Sequence, residues 1–166
     1  YMTIWRRQAD GNYKAVIDFG ISHPKPETVE TNWKSPSYIV KNAGENKPVA
    51  SNAVNLFYDT AAEKGLSSAY KMFAADDVRL LRDEQFPILG KGNAVFETKK
   101  DKSKIDFGVK MTLQSAGDFA YALTTFEIKT REKTTAKGNS LQIWKLRGGK
   151  WQIVLDVMNR IQTDKS

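Results

Sequence analysis

The sequence contains no cysteine and a single histidine, His23. The first absence excludes disulfides and thiolate chemistry but says nothing about compartment. The second removes Ser-His-Asp triads and histidine-ligated metals, since His23 stands in the extended stretch Ser22-His23-Pro24-Lys25-Pro26, where a solvated spacer is expected. Carboxylates alone can hold a hard cation, but no loop shows the spacing, so neither a metal nor a cofactor is expected. No apolar run approaches the ~18–20 residues that span a bilayer, and no signal-peptide pattern opens the chain. Nucleic acid is not an expected partner either, despite a formal charge of +7. The lysines gather in Lys99-Lys100-Asp101-Lys102-Ser103-Lys104 and Lys129-Thr130-Arg131-Glu132-Lys133, at loops and strand ends, without the interleaved aromatics of single-strand binders.

What is present is a core. The 166 residues are enough to bury about 70% of the unfolded surface. Residues 138–158 form a terminal hairpin in which two runs of β-branched and aromatic residues flank Arg147-Gly148-Gly149. Trp151, Ile153, Leu155 and Val157 alternate and are expected to share one face, with Val154, Asp156 and Met158 on the other. Four large apolar side chains, each contributing ~1.5–3 kcal/mol on burial, require a covering layer.

Residues 1–21 repeat this hairpin. Ile4-Trp5 matches Ile143-Trp144, Gly11 matches Gly149, Tyr13 matches Trp151, and Val16-Ile17-Asp18 matches Val154-Leu155-Asp156. Self-similarity at this distance points to duplication of a whole domain. Tyr1 opens inside a strand-like pattern, so residues 1–21 are expected to be the closing hairpin of a preceding, truncated related domain. A hairpin alone is marginal in water and must dock on something. Residues 22–49, which hold four of the five prolines and the turn-rich Asn42-Ala43-Gly44-Glu45-Asn46, are expected to be a linker. Its Trp33, Tyr38, Ile39 and Val40 are apolar enough to lie along a groove.

A domain over residues 50–162 follows. Val54, Phe57, Tyr58, Ala61 and Ala62 have helical spacing, with Ser51 or Asn52 as N-cap and Gly65 past the end. A second helix is expected from Ser67 or Ser68, and a third over Asn93–Thr98. Between them, Val78-Arg79-Leu80-Leu81 reads as a strand. Ile105, Phe107, Val109, Met111 and Leu113 alternate as another. In the next strand Phe119, Tyr121 and Leu123 hold one parity while Phe126 and Ile128 hold the other, which predicts a β-bulge at Thr124-Thr125. Leu141 and Ile143 against Trp144 and Leu146 predict a second slip on the neighbouring strand. Two slips imply a strongly curved sheet, and a curved sheet covered by helices encloses a cavity.

This succession, with Phe73-Ala-Ala-Asp-Asp-Val-Arg-Leu80, Pro87-Ile-Leu-Gly-Lys91 and Trp144-Lys-Leu-Arg-Gly-Gly-Lys-Trp151, resembles the SnoaL-like branch of the nuclear-transport-factor-two-like superfamily. The resemblance implies an α+β, cone-shaped fold with three N-terminal helices packed on a strongly curved antiparallel β-sheet. It also implies an apolar pocket, a bacterial source and frequent homodimerisation, here as a homodimer or by pairing with a tandem related domain. The cytoplasm and export both remain open.

Relatives include ketosteroid isomerase and polyketide cyclases. Carried over position by position, the isomerase pattern puts its helix tyrosine at Tyr58. It puts the base position at Arg82, with Asp83 one residue late. The late carboxylic acid falls at Ser140 or Leu141, which cannot do that job. The candidate catalytic carboxylates are therefore Asp83 and Asp156, with Asp156 alternatively anchoring a neighbouring arginine or backbone amides. Candidate ligand-lining residues are Tyr58, Arg82, Met111, Tyr121 and Trp144. The functional expectation is a domain that binds a small apolar or amphipathic ligand. The alternatives are an isomerase, cyclase or hydratase using a pocket carboxylate, and a dimerisation or protein-interaction module.

Overall fold

The computed structural model describes residues 1–27, 48–101, 103–131 and 133–161. The chain begins with a hairpin, β1 (Met2–Arg7) and β2 (Tyr13–Phe19). Most of the expected linker, residues 28–47, lies outside the described residues, including the apolar stretch around Trp33 and Tyr38.

Helix α1 (Ala50–Lys64) starts one residue before the expected Ser51 cap, behind Val49, which offers no side-chain cap. Its buried Val54, Phe57 and Ala61 follow the helical spacing of the sequence. Gly65, at φ 82°, stops it and opens α2 (Leu66–Phe73). The positive φ suits glycine at this corner. β3 (Ala74–Arg82) follows, then β4 (Ile88–Leu89) and α3 (Lys91–Lys100). Long strands complete the chain: β5 (Lys104–Ala116), β6 (Phe119–Thr130), β7 (Lys133–Arg147) and β8 (Lys150–Arg160).

Six strands form one sheet in the order β4-β3-β8-β7-β6-β5. The sheet is mixed rather than purely antiparallel, because β3 runs parallel to its neighbour β8. β4, α3 and β5–β7 lie between β3 and β8 in the chain, and parallel pairing requires a long connection rather than a hairpin. The third helix comes after β3 and β4, so only two of the three helices precede the sheet.

The bulges fall near the expected places but on the partner strands. Phe107 pairs with Phe126 and Met111 with Thr124, so the extra residues are Gly108–Lys110 of β5, opposite Thr125. Ile143 pairs with Leu155 and Trp144 with Ile153, so the extra residue is Val154 of β8. β6 itself does not break phase. Ala120, Ala122, Thr124 and Phe126 are buried, whereas Phe119, Tyr121 and Leu123 pack into a separate cluster. Both parities are apolar because both faces of the sheet are covered.

The inner core joins Phe57, Tyr70 and Phe73 of the helices to Leu80, Trp144, Trp151 and Ile153 of the sheet. The indole of Trp144 meets Phe57 and Phe73 at ring-centroid distances of 6.0 Å each. Ala120 is paired with Trp144 across β6 and β7, and its small side chain leaves room for the indole. The outer cluster joins Leu141, Ile143 and Leu155 to Ile4, Ile17 and Phe19 of the hairpin. The hairpin is thus seated on the back of the sheet. Asn159 Nδ2 donates to Gly20 O (2.7 Å) and the Glu84 amide to Ser22 O (2.7 Å).

The bulge at Val154 corrects the expected face pattern of β8. Trp151 and Ile153 lie in the inner core, Val154 and Leu155 pack in the outer cluster, and Asp156 reaches inner-core partners. A strictly alternating strand would have placed Asp156 opposite Trp151. The inserted residue brings it onto the same side.

Candidate functional site

The inward side chains of β7 and β8 carry an unusual set of polar groups for a core: Ser140 and Gln142 are both 0% exposed and Asp156 is 1% exposed. Buried polar groups need partners, and Gln142 and Asp156 are joined in a chain. Trp144 Nε1 donates to Gln142 Oε1 (3.2 Å), and Gln142 Nε2 donates to Asp156 Oδ2 (2.7 Å). Arg82, the last residue of β3, closes it. Its Nη2 donates to Tyr70 Oη (2.7 Å), and its Nη1 donates to the carbonyls of Leu81 (2.9 Å) and Asp156 (3.0 Å). Nη1 also stands 2.9 Å from Asp156 Oδ1.

The two hydrogens of Nη1 are thus directed at carbonyls. Asp156 Oδ1 has the charge contact without an aligned hydrogen bond. Two more buried oxygens, Tyr58 Oη and Ser140 Oγ, also make no aligned hydrogen bond. Ser140 lies across the sheet from Thr124 on one side and Met158 on the other. The hydroxyls of Tyr58 and Ser140 are close enough for Ser140 to ease ionisation of the phenol, although they do not meet as an aligned hydrogen bond.

Burial, with the negative charge of Asp156 as a lesser cause, nevertheless pushes the Tyr58 phenol far above its ordinary range. Tyr70 is also raised, first by burial, with Arg82 acting against the shift. For Arg82, burial opposes the charge, but Tyr70 and Asp156 outweigh it and hold the guanidinium above its usual pKa. All three groups therefore keep their protons at neutral pH. The phenols remain donors.

Two recesses flank this cluster. One, of about 580 Å³, lies between α1 and β5 and is lined by Tyr58, Phe107, Met111 and Thr124. The ring of Tyr58 stands edge-on to Phe107 there, with centroids 4.8 Å apart. The other, of about 360 Å³, opens at the far end of the sheet and is lined by Leu80, Arg82, Phe126 and Met158. A third recess of about 580 Å³ lies among the helix ends, with Lys64, Lys71, Lys99 and Lys104 around it. Neither Tyr58, Ser140 nor Asp156 lines it. The rings of Phe57, Tyr70, Phe73 and Trp144 pack against one another in the inner core.

The sequence-derived candidates divide accordingly. Tyr58 and Met111 meet in the α1–β5 recess, while Arg82 and Asp83 line the second one. Asp156 lines neither recess and is joined to Arg82. Trp144 is wholly buried beneath Phe57 and Phe73. Tyr121 is not with them, because its parity on β6 places it in the cluster on the back of the sheet. Asp83 uses its two oxygens on backbone amides, Oδ1 on Ser22 (3.2 Å) and Oδ2 on Arg160, and so ties the segment after the hairpin to the end of β8.

Sequence reasoning missed Gln142 and Tyr70. Gln142 was visible as a polar residue amid the apolar run Leu141–Trp144. Tyr70 is indistinguishable from a core aromatic until Arg82 is placed beside it. Among the described residues no group of three metal-ligating side chains converges.

No family model matches this sequence, and no curated protein matches it. Solved structures do resemble it. An NTF2-like protein of unknown function from Pseudomonas putida superposes with a TM-score of 0.58 at 15% identity, covering 69% of this chain and 86% of that one. A protein of unknown function with a cystatin-like fold from Nostoc punctiforme gives 0.57 at 14% identity, covering 70% and 96%. A candidate ketosteroid isomerase from Parabacteroides distasonis gives 0.55 at 14% identity, covering 66% and 86%. The chain has the NTF2-like, cystatin-like fold.

Proposed function

We propose that this NTF2-like fold binds a small apolar or amphipathic molecule bearing a neutral hydrogen-bond acceptor, such as a ketone or ester carbonyl. The observation that carries the reading is the buried hydroxyl of Tyr58 in the wall of the α1–β5 recess, with the buried hydroxyl of Ser140 close to it and neither making an aligned hydrogen bond. Each unmet buried donor or acceptor costs ~1–3 kcal/mol, and an acceptor reaching both hydroxyls relieves that cost. The walls formed by Ile105, Phe107 and Met111 in that recess suit an apolar body. The carboxylate of Asp156 disfavours an anion beside Tyr58, which is why a carbonyl is preferred to a carboxylate.

The reading is one of binding rather than catalysis. Proton abstraction needs a free base near the ligand. Asp156 is held by Arg82 and Gln142, and Asp83 by two amides. The phenol of Tyr58 is a donor at neutral pH, not a base.

Titration calorimetry against a panel of apolar ketones and their reduced alcohols tests this. At least one ketone is expected to bind, more tightly than its alcohol. Tyr58→Phe and Ser140→Ala are each expected to weaken it about tenfold, the loss of roughly one hydrogen bond. Silence across the panel, or affinity untouched by the double substitution, would overturn the proposal.

A further inference from the structure

In the sequence the run Lys99-Lys100-Asp101-Lys102-Ser103-Lys104 reads as a solvated loop. The fold gives two of its lysines another setting. Lys99, in the last turn of α3, and Lys104, the first residue of β5, both border the recess of about 580 Å³ among the helix ends. Lys64, the last residue of α1, and Lys71, in the last turn of α2, border it too. A cation suits the C-terminal end of a helix, which accounts for Lys64, Lys71 and Lys99 singly. It does not account for their meeting around one hollow, where like charges repel.

Carboxylates do not offset these charges. Among the described residues Lys64, Lys71 and Lys99 make no ion pair, whereas Lys100, which does not line the recess, pairs with Glu97 (3.1 Å). Lys104 Nζ stands 3.3 Å from Asp106 Oδ1, but Lys129 Nζ holds the other oxygen of that carboxylate at 2.7 Å. Asp101 is the one acid in the lining among the described residues, and its Oδ1 accepts from the Ser103 amide (2.8 Å). Much of the remaining lining is apolar: Ala61 is buried, and Leu66, Val95 and Ile105 are half-buried. A cleft bordered by charge of one sign gathers counter-ions, and its apolar walls favour a counter-ion that carries a hydrocarbon part.

We infer that this recess is a binding site for an anionic amphiphile, a hydrocarbon body of medium length ending in a carboxylate or a phosphate. The body lies along Leu66, Val95 and Ile105, and the four lysines hold the head. Lysine supplies point charges rather than a bidentate fork, so the site selects the charge of the head and not its shape. The recess shares only Ala62 and Ile105 with the α1–β5 recess, where the charge of Asp156 disfavours an anion. The two recesses therefore take different ligands, and this site does not depend on the ketone reading.

The test titrates the chain with decanoate and with decyl phosphate, both below the concentrations at which they form micelles, and with decanol and inorganic phosphate as controls. Amide resonances of Leu66, Lys71, Val95 and Thr98 are expected to move with one or both amphiphilic anions, and those of Tyr58 and Met111 to stay. Whichever anion moves them identifies the head. Decanol and inorganic phosphate are each expected to bind about tenfold more weakly or worse, since each meets only part of the lining. Lys71→Gln combined with Lys99→Gln is expected to weaken the anion about tenfold, to leave decanol as it was, and to leave the melting temperature unchanged, because both side chains are exposed. Raising the salt concentration is expected to act in the same direction. The inference is overturned if neither amphiphilic anion moves these resonances, if the double substitution leaves their affinity untouched, or if inorganic phosphate binds as tightly as they do. It is equally overturned if both soluble amphiphiles fail while phosphatidylglycerol vesicles capture the chain through these lysines, because the partner is then a membrane surface.

Discussion

Arg82 is the residue on which the buried polar chain depends. A buried ion pair is weak evidence of stability, yet breaking one by removing a single partner costs ~3–5 kcal/mol, because a charge is left behind. Arg82→Met is therefore expected to destabilise by about that amount in urea unfolding, and Arg82→Met with Asp156→Asn by much less. Equal losses in the single and double variants would show that the pair is not coupled.

The phenols give a pH signature. Tyr58 and Tyr70 are raised in the folded state but free to ionise near pH ~10 when unfolded. The unfolded state then releases protons that the folded state retains. The stability linked to these groups is full below pH ~10 and drains as pH rises above it. Absorbance at 295 nm is expected to show two of the six tyrosines ionising only as the fold melts. All six titrating together near pH ~10, with circular dichroism unchanged, would refute the assignment.

At the scale of the element, the bulges decide which side chains face inward. Val154 turns Asp156 toward Arg82, and Gly108–Lys110 free carbonyls that Thr124 Oγ1 approaches at 3.0 Å on both Gly108 and Lys110. Glycine matters at one further point. A Cβ on Gly138 would collide with Asn159 O and stand 2.7 Å from the ring of Phe126. Gly138→Ala is expected to destabilise by ~1–3 kcal/mol, the range of overpacked sites, read as a lower urea midpoint at unchanged slope. An unaltered midpoint would mean that β7 and β8 can separate there without loss.

For the molecule as a whole, the back of the sheet and the hairpin stabilise each other. Ile4→Asp places an unpaired charge in their seam and removes an apolar burial contributing ~1.5–3 kcal/mol. Faster amide exchange in β1 and β2 and new binding of a hydrophobic dye are expected, with the helical signal kept, since α1 and α2 rest on the other face. Unchanged exchange would mean that the hairpin is held by Asp83 and Asn159 alone.

Much of this arrangement was legible in the residues. The spacing of Val54, Phe57 and Ala61 marks α1, and the glycines at 65, 117, 148 and 149 mark turns, because these signals are local and rest on backbone sterics. Tyr58 and Arg82 were found as candidates through a family pattern. Alternation does not reveal the faces of β6, because both sides of the sheet are covered, nor those of β8, because Val154 is inserted into it.

The sequence by itself determined which segments become helix and strand, that register slips near Thr124-Thr125 and near Ile143-Trp144, and that the first hairpin repeats the last. These follow from periodicity and turn chemistry within a few residues. Only the tertiary structure decided that the bulges belong to β5 and β8, that β3 lies parallel to β8, and that Asp156 faces Arg82 and Tyr70. Each of those depends on which distant strand supplies the neighbour, and a pairing across 74 residues, such as Arg82 with Asp156, is settled by how the layers close on each other.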